Sequence, residues 1–266
     1  MLIIGERINS TRPKICEAIR ARNAADILKE VKNQIASGAV YIDVNCAATT
    51  GDELQDIDWV ISIIQSGVPG VNICIDSPNY LALERGLKAY KSTGSLFINS
   101  ITAEDARINN VLPLAIKYKT KLVALTMDDK GMPDTAGGRF EIAKSIVGKV
   151  KRAGFNTNDL YIDALIRPIS TEPAQAAEFL KSIKMIKALG DVKTICGLSN
   201  VSFGLPNRAL VNSIFLAMAM SEGLDAAIID PTEKRIASSL AASGALLGVD
   251  EYCGGYIRAF REGKLI

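Results

Sequence analysis

The chain has 266 residues, of which 48% are apolar and 23% are charged, a composition typical of a globular protein with a large core. Its formal net charge is only +2 and no run of basic residues stands out, which argues against binding to nucleic acid or to an anionic membrane surface. The absence of histidine excludes a Ser-His-Asp triad, a histidine proton shuttle and a histidine-ligated metal.

The cysteines and the hydropathy of the chain bear on metal binding, secretion and membrane insertion. The five cysteines are scattered and form no Cys-x-x-Cys pair, so we expect no metal to be bound by this chain. Glu6 and Arg7 interrupt the first apolar run, which is unlike a signal peptide. The longest strongly apolar stretch, residues 209–220, is too short to span a bilayer. A cytoplasmic protein without membrane contact is the expectation.

One pattern occurs eight times: a short apolar run rich in β-branched residues ends at an aspartate or asparagine, and a helix-like segment follows. The polar ends are, in chain order, Asn9, Asn45, Asp76, Asn99, Asp128, Asp163, Asn200 and Asp230. Successive ends lie between 23 residues (Asp76 to Asn99) and 37 residues (Asp163 to Asn200) apart, about the length of a strand with its crossover helix. Eight units predict an α/β protein with a single (β/α)8 TIM barrel over residues 1–266.

The segments between the apolar runs have the features of crossover helices. Asn23 is placed to cap a helix whose apolar residues recur at helical spacing until Gly38. The segment from Pro206 to Glu222 differs, because it is apolar on nearly every side and therefore needs cover all round. Extra cover from a neighbouring helix and the C-terminal tail is one interpretation; we favour the other, a subunit interface in a homodimer.

The polar strand ends should meet at one site, since the carboxyl ends of all eight strands of a barrel face the same way. An aspartate or asparagine there usually closes a turn, and this is the preferred interpretation for Asn9, Asn45, Asp128 and Asp230. Asp76, Asn99 and Asp163 directly follow apolar strands, where buried carboxylates need hydrogen-bond donors. A flat heterocycle with N–H groups and a carbonyl, such as a pterin, would satisfy two carboxylates and one amide together.

The sequence resembles the methyltetrahydrofolate:corrinoid protein methyltransferases, which are pterin-binding barrels related to dihydropteroate synthase. The most specific segment is GLSNVS at 197–202, followed by Asn207 and Arg208. Matching segments occur in order along essentially the whole chain: MLIIGERIN at 1–9, ICIDS at 73–77, INS at 98–100, LTM at 125–127, DLYIDALI at 159–166 and NRALVNSIFLAMAM at 207–220.

The resemblance implies a reaction and its partners. A methyl group would move between nitrogen 5 of methyltetrahydrofolate, bound here as a substrate, and the cobalt of a corrinoid (cobalamin) carried by a partner protein. Such a chain need not bind cobalt itself, which agrees with its lack of histidine. The sequence fixes neither the direction of transfer nor the identity of the corrinoid protein.

The resemblance also implies which residues hold the pterin. Asp163 looks like the aspartate that takes nitrogen 3 and the 2-amino group as a bidentate pair. Asn99 is similar to the asparagine on the same ring edge, and Asp76 to the aspartate that helps to fix the reduced ring.

Three residues near 200 follow from the same comparison. Asn200 matches the asparagine next to nitrogen 5, and Arg208 the arginine just beyond it that contacts the bound folate. Phe203 departs from the family, some members of which have a polar glutamine there, so we expect altered contacts in this loop. Because an amide can accept a hydrogen bond from a protonated nitrogen, Asn200 is the predicted catalytic residue. Without the resemblance, a simple turn in Ser-Asn-Val-Ser would be favoured.

Two alternatives stay open at this point. A dihydropteroate synthase-like enzyme is one, although that family has a lysine near the end of strand seven and a Gly-Gly-Glu-Ser-Thr-Arg-Pro loop after strand two, where this chain has ICGLSN and NCAATTG. A folate-binding subunit without turnover is the other. It would share Asp76, Asn99 and Asp163 with the enzyme, so only the role of Asn200 separates the two.

Overall fold

The computed structural model describes all 266 residues, and its centre is a closed barrel of eight parallel strands. Each strand pairs with the next in chain order, and the last pairs back with the first. This confirms the predicted TIM barrel. The strands are β1 (Leu2–Asn9), β2 (Tyr41–Asn45), β3 (Ile73–Asp76), β4 (Leu96–Ile101), β5 (Lys121–Leu125), β6 (Leu160–Asp163), β7 (Lys193–Gly197) and β8 (Ala226–Ile229).

Ten α-helices surround the barrel or follow it. The helix predicted after Asn23 is α2, and the Asn23 side chain caps it by accepting a hydrogen bond from the Asp26 backbone N–H. None of the helices is both long and apolar enough to cross a membrane. The helices are α1 (Pro13–Arg20), α2 (Ala24–Ala36), α3 (Glu53–Gly67), α4 (Tyr80–Ala89), α5 (Asp105–Tyr118), α6 (Ala136–Arg152), α7 (Gln175–Lys187), α8 (Arg208–Ser221), α9 (Lys234–Leu246) and α10 (Gly254–Arg261).

Two strands end three residues earlier than their sequences predict. The chain leaves β5 after Leu125, because the Met127 N–H bonds locally to the Leu125 carbonyl, so Asp128 lies in the following turn. Likewise β7 ends at Gly197, and Asn200 lies in a short 3-10 helix, Leu198–Ser202. The predicted strand ends at Asp128 and Asn200 are therefore wrong, and Asn200 stands on a separate element beyond the barrel. Two smaller differences are that β4 continues past Asn99 to Ile101 and that β8 ends at Ile229, directly before Asp230.

The inside of the barrel is filled below its carboxyl end. One buried residue from each strand forms an interior cluster: Ile4, Tyr41, Cys74, Phe97, Val123, Tyr161, Ile195 and Ala226. The Phe97 ring meets Tyr41 and Tyr161 edge to face, at centroid distances of 4.9 and 4.8 Å. A larger core lies between the strands and the helices. Because the interior is closed by packed side chains, a ligand reaches the strands only from their carboxyl ends.

Helix α8 is only partly covered. Phe215, Leu216 and Ala219 are buried, and α9 packs alongside. The opposite face carries what we term the α8 stripe: Leu210, Ile214 and Met218, spaced four residues apart and 40%, 54% and 47% exposed. Cover by a neighbouring helix therefore explains one side of this apolar segment and leaves the stripe open.

Candidate active site

The alternation of side chains along each strand places polar groups directly above the interior cluster. Residues two apart on a strand share a face, so Asp76 lies above Cys74, Asn99 above Phe97 and Asp163 above Tyr161. Asp76 and Asn99 are also register partners on β3 and β4. The structure thus brings these three predicted residues to the open end of one barrel, Asp163 two strands beyond Asn99.

Asp76 is held by a residue that the sequence indicated only for a turn. Asn45 closes a turn by accepting from the Ala47 N–H at 3.0 Å, and its Nδ2 donates to Asp76 Oδ2 at 2.8 Å. Burial raises the pKa of Asp76 to about 6, against the lowering effect of the Asn45 hydrogen bond and the Arg107 charge. The turn interpretation of Asn45 is therefore incomplete, because its amide also orients a site carboxylate.

The other three polar ends predicted to close turns do so. The side chain of Asn9 accepts from the Thr11 N–H, that of Asp128 from the Lys130 N–H, and that of Asp230 from the Thr232 N–H. Asp230 has a further role, since its Oδ2 accepts from Arg7 Nη1 at 2.6 Å.

Asp43 is a site residue that the sequence interpretation missed. It lies on β2 below Asn45, is only 2% exposed, and its Oδ1 has no hydrogen-bond partner. Burial and the nearby Asp76 carboxylate raise the pKa of Asp43 well above the usual range. Its position two residues before Asn45 on the same strand was the available signal.

Asp163 is fixed by backbone donors on two sides. Its Oδ1 accepts from the Leu165 N–H at 2.7 Å and its Oδ2 from the Gly197 N–H at 3.2 Å. Burial raises its pKa to about 6, although both hydrogen bonds and the Arg139 charge act to lower it. Each carboxylate oxygen retains a second lone pair, so Asp163 can still accept two hydrogen bonds from a ligand.

Asn200 lies beside the strand end that contacts Asp163. A Cβ placed on Gly197 would be 3.6 Å from Asn200 Nδ2, and the Gly197 N–H is the donor to Asp163. The Asn200 side chain is exposed and makes no hydrogen bond within the chain, whereas its backbone carbonyl accepts from the Phe203 N–H. The amide therefore does not close the turn and is free to bind a ligand.

Arg208 contacts the loop that carries Asn200. Its Nε donates to Ser202 Oγ at 3.0 Å and its Nη2 to the Ser199 carbonyl at 2.6 Å. Its guanidinium also lies 5.8 Å from the ring centroid of Phe203, which is 64% exposed. The structure thus shows Arg208 as a support of this loop, and the ligand contacts expected of Arg208 and Phe203 stay predictions.

Arg107 is a second residue that the sequence interpretation missed. It lies on α5 and donates to the backbone carbonyls of Ser77, Pro78 and Ser100, which ties the loop after β3 to the carboxyl end of β4. No motif marks such a residue, since its partners are backbone atoms. No group of three or more His, Cys, Asp or Glu side chains could hold a metal ion, and the absence of a bound metal stays a prediction.

Residues 5–230 match the family of pterin binding enzymes. The chain belongs to this family. It is 36% identical, over its full length and 98% of the relative, to the methylcorrinoid:tetrahydrofolate methyltransferase of Eubacterium limosum. It is also 30% identical to the methionine synthase of Mycobacterium tuberculosis over 86% of this chain, which spans only 20% of that longer protein.

Solved structures show the same fold at low sequence identity. The dihydropteroate synthase of Yersinia pestis, solved with a pterine-sulfa conjugate, superposes with a TM-score of 0.70 at 14% identity, over 93% of this chain and 94% of that one. The dihydropteroate synthase of Xanthomonas albilineans with 4-aminobenzoic acid gives 0.70 at 15% identity, over 94% and 92%. These similarities establish the barrel and nothing finer.

The Asn45 hydrogen bond can be tested on the free protein. Replacing Asn45 with Ala removes the donor to Asp76, so the pKa of Asp76 should rise above about 6. Carboxyl NMR titration measures this directly. Asn9→Ala is the matched control, because Asn9 closes a similar turn but contacts no carboxylate. An unchanged Asp76 titration in Asn45→Ala would contradict the assignment.

Proposed function

We propose that this chain moves a methyl group from the cobalt of a methylcorrinoid to nitrogen 5 of tetrahydrofolate. The donor and acceptor are those in the name of the Eubacterium limosum relative, which matches the whole chain at 36% identity. The observation that carries the proposal is the Asn200 side-chain amide, which makes no hydrogen bond within the chain. It lies next to Gly197, and the Gly197 N–H donates to the Asp163 carboxylate at the open end of the barrel.

The pterin ring fits between the carboxylate and amide groups above the interior cluster. Asp163 accepts from nitrogen 3 and the 2-amino group, using the lone pairs that its backbone donors leave free. Asn99 and Asp76 contact the ring from β4 and β3. Since the interior cluster fills the barrel below these groups, the ring lies across the carboxyl end of the barrel with nitrogen 5 towards Asn200.

The chemistry requires charge at nitrogen 5. The nitrogen lone pair forms the bond to the methyl carbon while the cobalt–carbon bond breaks and leaves its electron pair on cobalt. Nitrogen 5 then carries a methyl group, a hydrogen and a positive charge. Asn200 Oδ1 accepts a hydrogen bond from this N–H, and because the bond strengthens as the charge develops, it stabilises the transition state. The reverse transfer passes through the same state.

The corrinoid enters as a substrate carried by another protein. The methyl group has to reach nitrogen 5 from outside, and only the carboxyl ends of the strands are open, because the interior cluster closes the other route. We therefore place the corrinoid protein on the loops that follow the strands.

Diphosphate chemistry of the dihydropteroate synthase type has less support. That family's lysine near the end of strand seven has no counterpart, since β7 ends at Gly197. The adjacent Arg208 is already bonded to Ser199 and Ser202. A folate-binding subunit without turnover would share the pterin contacts, so kinetics must separate it from the enzyme.

Methyl transfer from methylcobalamin to tetrahydrofolate, followed by absorbance, tests the function and the role of Asn200. Asn200→Ala should slow transfer roughly a hundredfold, or about 3 kcal/mol, with little change in folate affinity. Asp163→Asn should instead weaken binding, because its NH2 group faces donors. Asn158→Ala, in another short 3-10 helix, is the control. No transfer by the wild type would favour the subunit without turnover, and equal rates for wild type and Asn200→Ala would exclude catalysis by that amide.

Folate affinity should depend on pH because the site carboxyls must be ionised to accept hydrogen bonds. The pKa of Asp163 and that of Asp76 are both raised to about 6, so each carboxyl group is mostly protonated below that pH. Its O–H donor then faces the N–H donors of the pterin. We expect Kd to rise about tenfold per pH unit below pH 6 for each carboxyl required. Calorimetric titration between pH 5 and 8 measures the slope, which should be shallower in Asp163→Asn. A Kd that stays constant on acidification would rule out carboxylate recognition.

We also propose that the α8 stripe joins two copies of this chain in a homodimer. Three large apolar side chains in a row, each 40% or more exposed, are otherwise left in water. Helix α8 begins at Arg208, so such an interface would lie next to the loop that carries Asn200.

A charged residue in the stripe should abolish the dimer. Ile214→Lys places an ammonium group in the centre of the buried patch, which is costly without a partner. Sedimentation velocity should show a dimer for wild type and a monomer for the variant. Ile116→Lys, at an isoleucine on α5 that is 41% exposed, should leave the dimer intact. A wild-type monomer, or a dimer that survives Ile214→Lys, would contradict the interface.

A further inference from the structure

The first strand holds the loop after the seventh strand through one carboxyl group. Glu6 lies in β1, where the register with β2 shifts between Gly5 and Ile8. Its side chain is 18% exposed, and its Oε1 and Oε2 lie 3.0 and 2.9 Å from Ser199 Oγ. Ser199 directly precedes Asn200. Glu6 is thus bonded to the neighbour of the proposed catalytic amide across 193 residues of chain.

Ser199 is held a second time, from another element. Arg208 at the start of α8 donates to the Ser199 carbonyl at 2.6 Å and to Ser202 Oγ at 3.0 Å. The side chain and the backbone of Ser199 are therefore both fixed, by β1 and by α8. These contacts act on the backbone directly before Asn200, and the Ile169 N–H, which donates to the Val201 carbonyl at 3.1 Å, holds the residue after it.

A small polar cavity lies behind this loop. Its volume is about 190 Å³, and the groups around it include Glu6, Arg12, Ser199, Arg208 and Asp230. Arg12 Nη2 lies 3.2 Å from Glu6 Oε1, so the Glu6 carboxyl group contacts Arg12 as well as Ser199. Asn212 also lines the cavity, and its buried Oδ1 has no partner. These polar contacts add to the apolar packing of the Leu198–Ser202 helix, whose Leu198 and Val201 side chains are buried in the core.

The position of Asn200 has to be narrow for the proposed chemistry. A donor or acceptor that stabilises developing charge acts at a heavy-atom distance of about 2.7–3.1 Å. A displacement of about 1 Å can cost roughly a hundredfold in rate. The five residues of the Leu198–Ser202 helix follow the end of β7 at Gly197, so strand pairing does not hold them. This short helix alone does not fix the exposed Asn200 side chain with such precision.

We infer that Glu6 and Ser199 are positioning residues for methyl transfer. The Glu6–Ser199 hydrogen bond, with Arg208 on the Ser199 carbonyl, fixes the Leu198–Ser202 helix so that the Asn200 amide meets nitrogen 5. The inference rests on the role proposed for Asn200. It goes further, because it assigns part of the rate to two residues that do not touch the substrate.

The hydrogen bond can form in either protonation state of Glu6. A carboxylate accepts from the Ser199 hydroxyl, and a neutral carboxyl group donates to it. Glutamine can also accept from the hydroxyl through Oε1. Glu6→Gln should therefore keep most of the rate, whereas Ser199→Ala loses the bond. Ser199→Thr keeps a hydroxyl and should be close to wild type.

A double-mutant cycle tests the inference. In the same methylcobalamin assay, Ser199→Ala should lower kcat roughly tenfold at nearly constant KM, since the ring contacts stay in place. In the Asn200→Ala background the same change should have no further effect, because the group being positioned is gone. Ser182→Ala is the control, because the buried Ser182 hydroxyl on α7 donates only to the Glu178 carbonyl of its own helix, at 2.7 Å.

The outcomes are distinguishable. A wild-type kcat for Ser199→Ala would overturn the inference, and so would equal slowing of wild type and of Asn200→Ala. Loss of activity in Glu6→Gln with a folded protein by circular dichroism would also overturn it, since the hydrogen bond is retained. A wild-type rate for Asn200→Ala is a different result: it would overturn the role proposed for Asn200, independently of Ser199.

Discussion

A closed barrel allows each strand side chain only two directions, and this constraint determines where the site is. Eight inward residues, one from each strand, fill the interior at one level. Side chains on the same face two residues further on emerge above that layer, which is where Asp76, Asn99 and Asp163 stand. The packed layer fills the barrel directly below these side chains and blocks access from that side. The site is thus a direct consequence of how the barrel is filled.

The same layer makes the free site energetically unfavourable for its own carboxyl groups. Burial raises the pKa of Asp76 and that of Asp163 to about 6, and Asp43 below them is more strongly perturbed. Backbone donors and Asn45 compensate only part of this cost. In the proposed complex, a ligand edge rich in N–H groups would supply the missing hydrogen bonds, so that part of the free energy lost by burying these carboxyl groups would be recovered on binding.

The sequence predicted the elements that follow from local periodicity and missed the contacts that depend on the folded chain. The barrel, the α2 cap and the grouping of Asp76 with Asn99 follow from apolar runs and strand ends. Asp43 was missed because β2 is buried on both faces, so its residues do not alternate between apolar and polar. The sequence of β2 therefore does not show which of its residues face into the barrel. Arg107 and Glu6 were missed because they hold loops of the site through hydrogen bonds to residues 7 to 193 positions away in the chain. No pattern of residue types carries such distances.

The hydrogen bond between Glu6 and Ser199 links the first strand of the barrel to the segment that follows its seventh strand. Strand β1 is made first and strand β7 nearly last, and the ring closes only when β8 pairs with β1. A chain that has not closed its ring can already have most of its strands and helices, yet it lacks the support behind Asn200. On the proposal made above for Glu6 and Ser199, closure of the ring would therefore contribute to the rate of methyl transfer as well as to the fold.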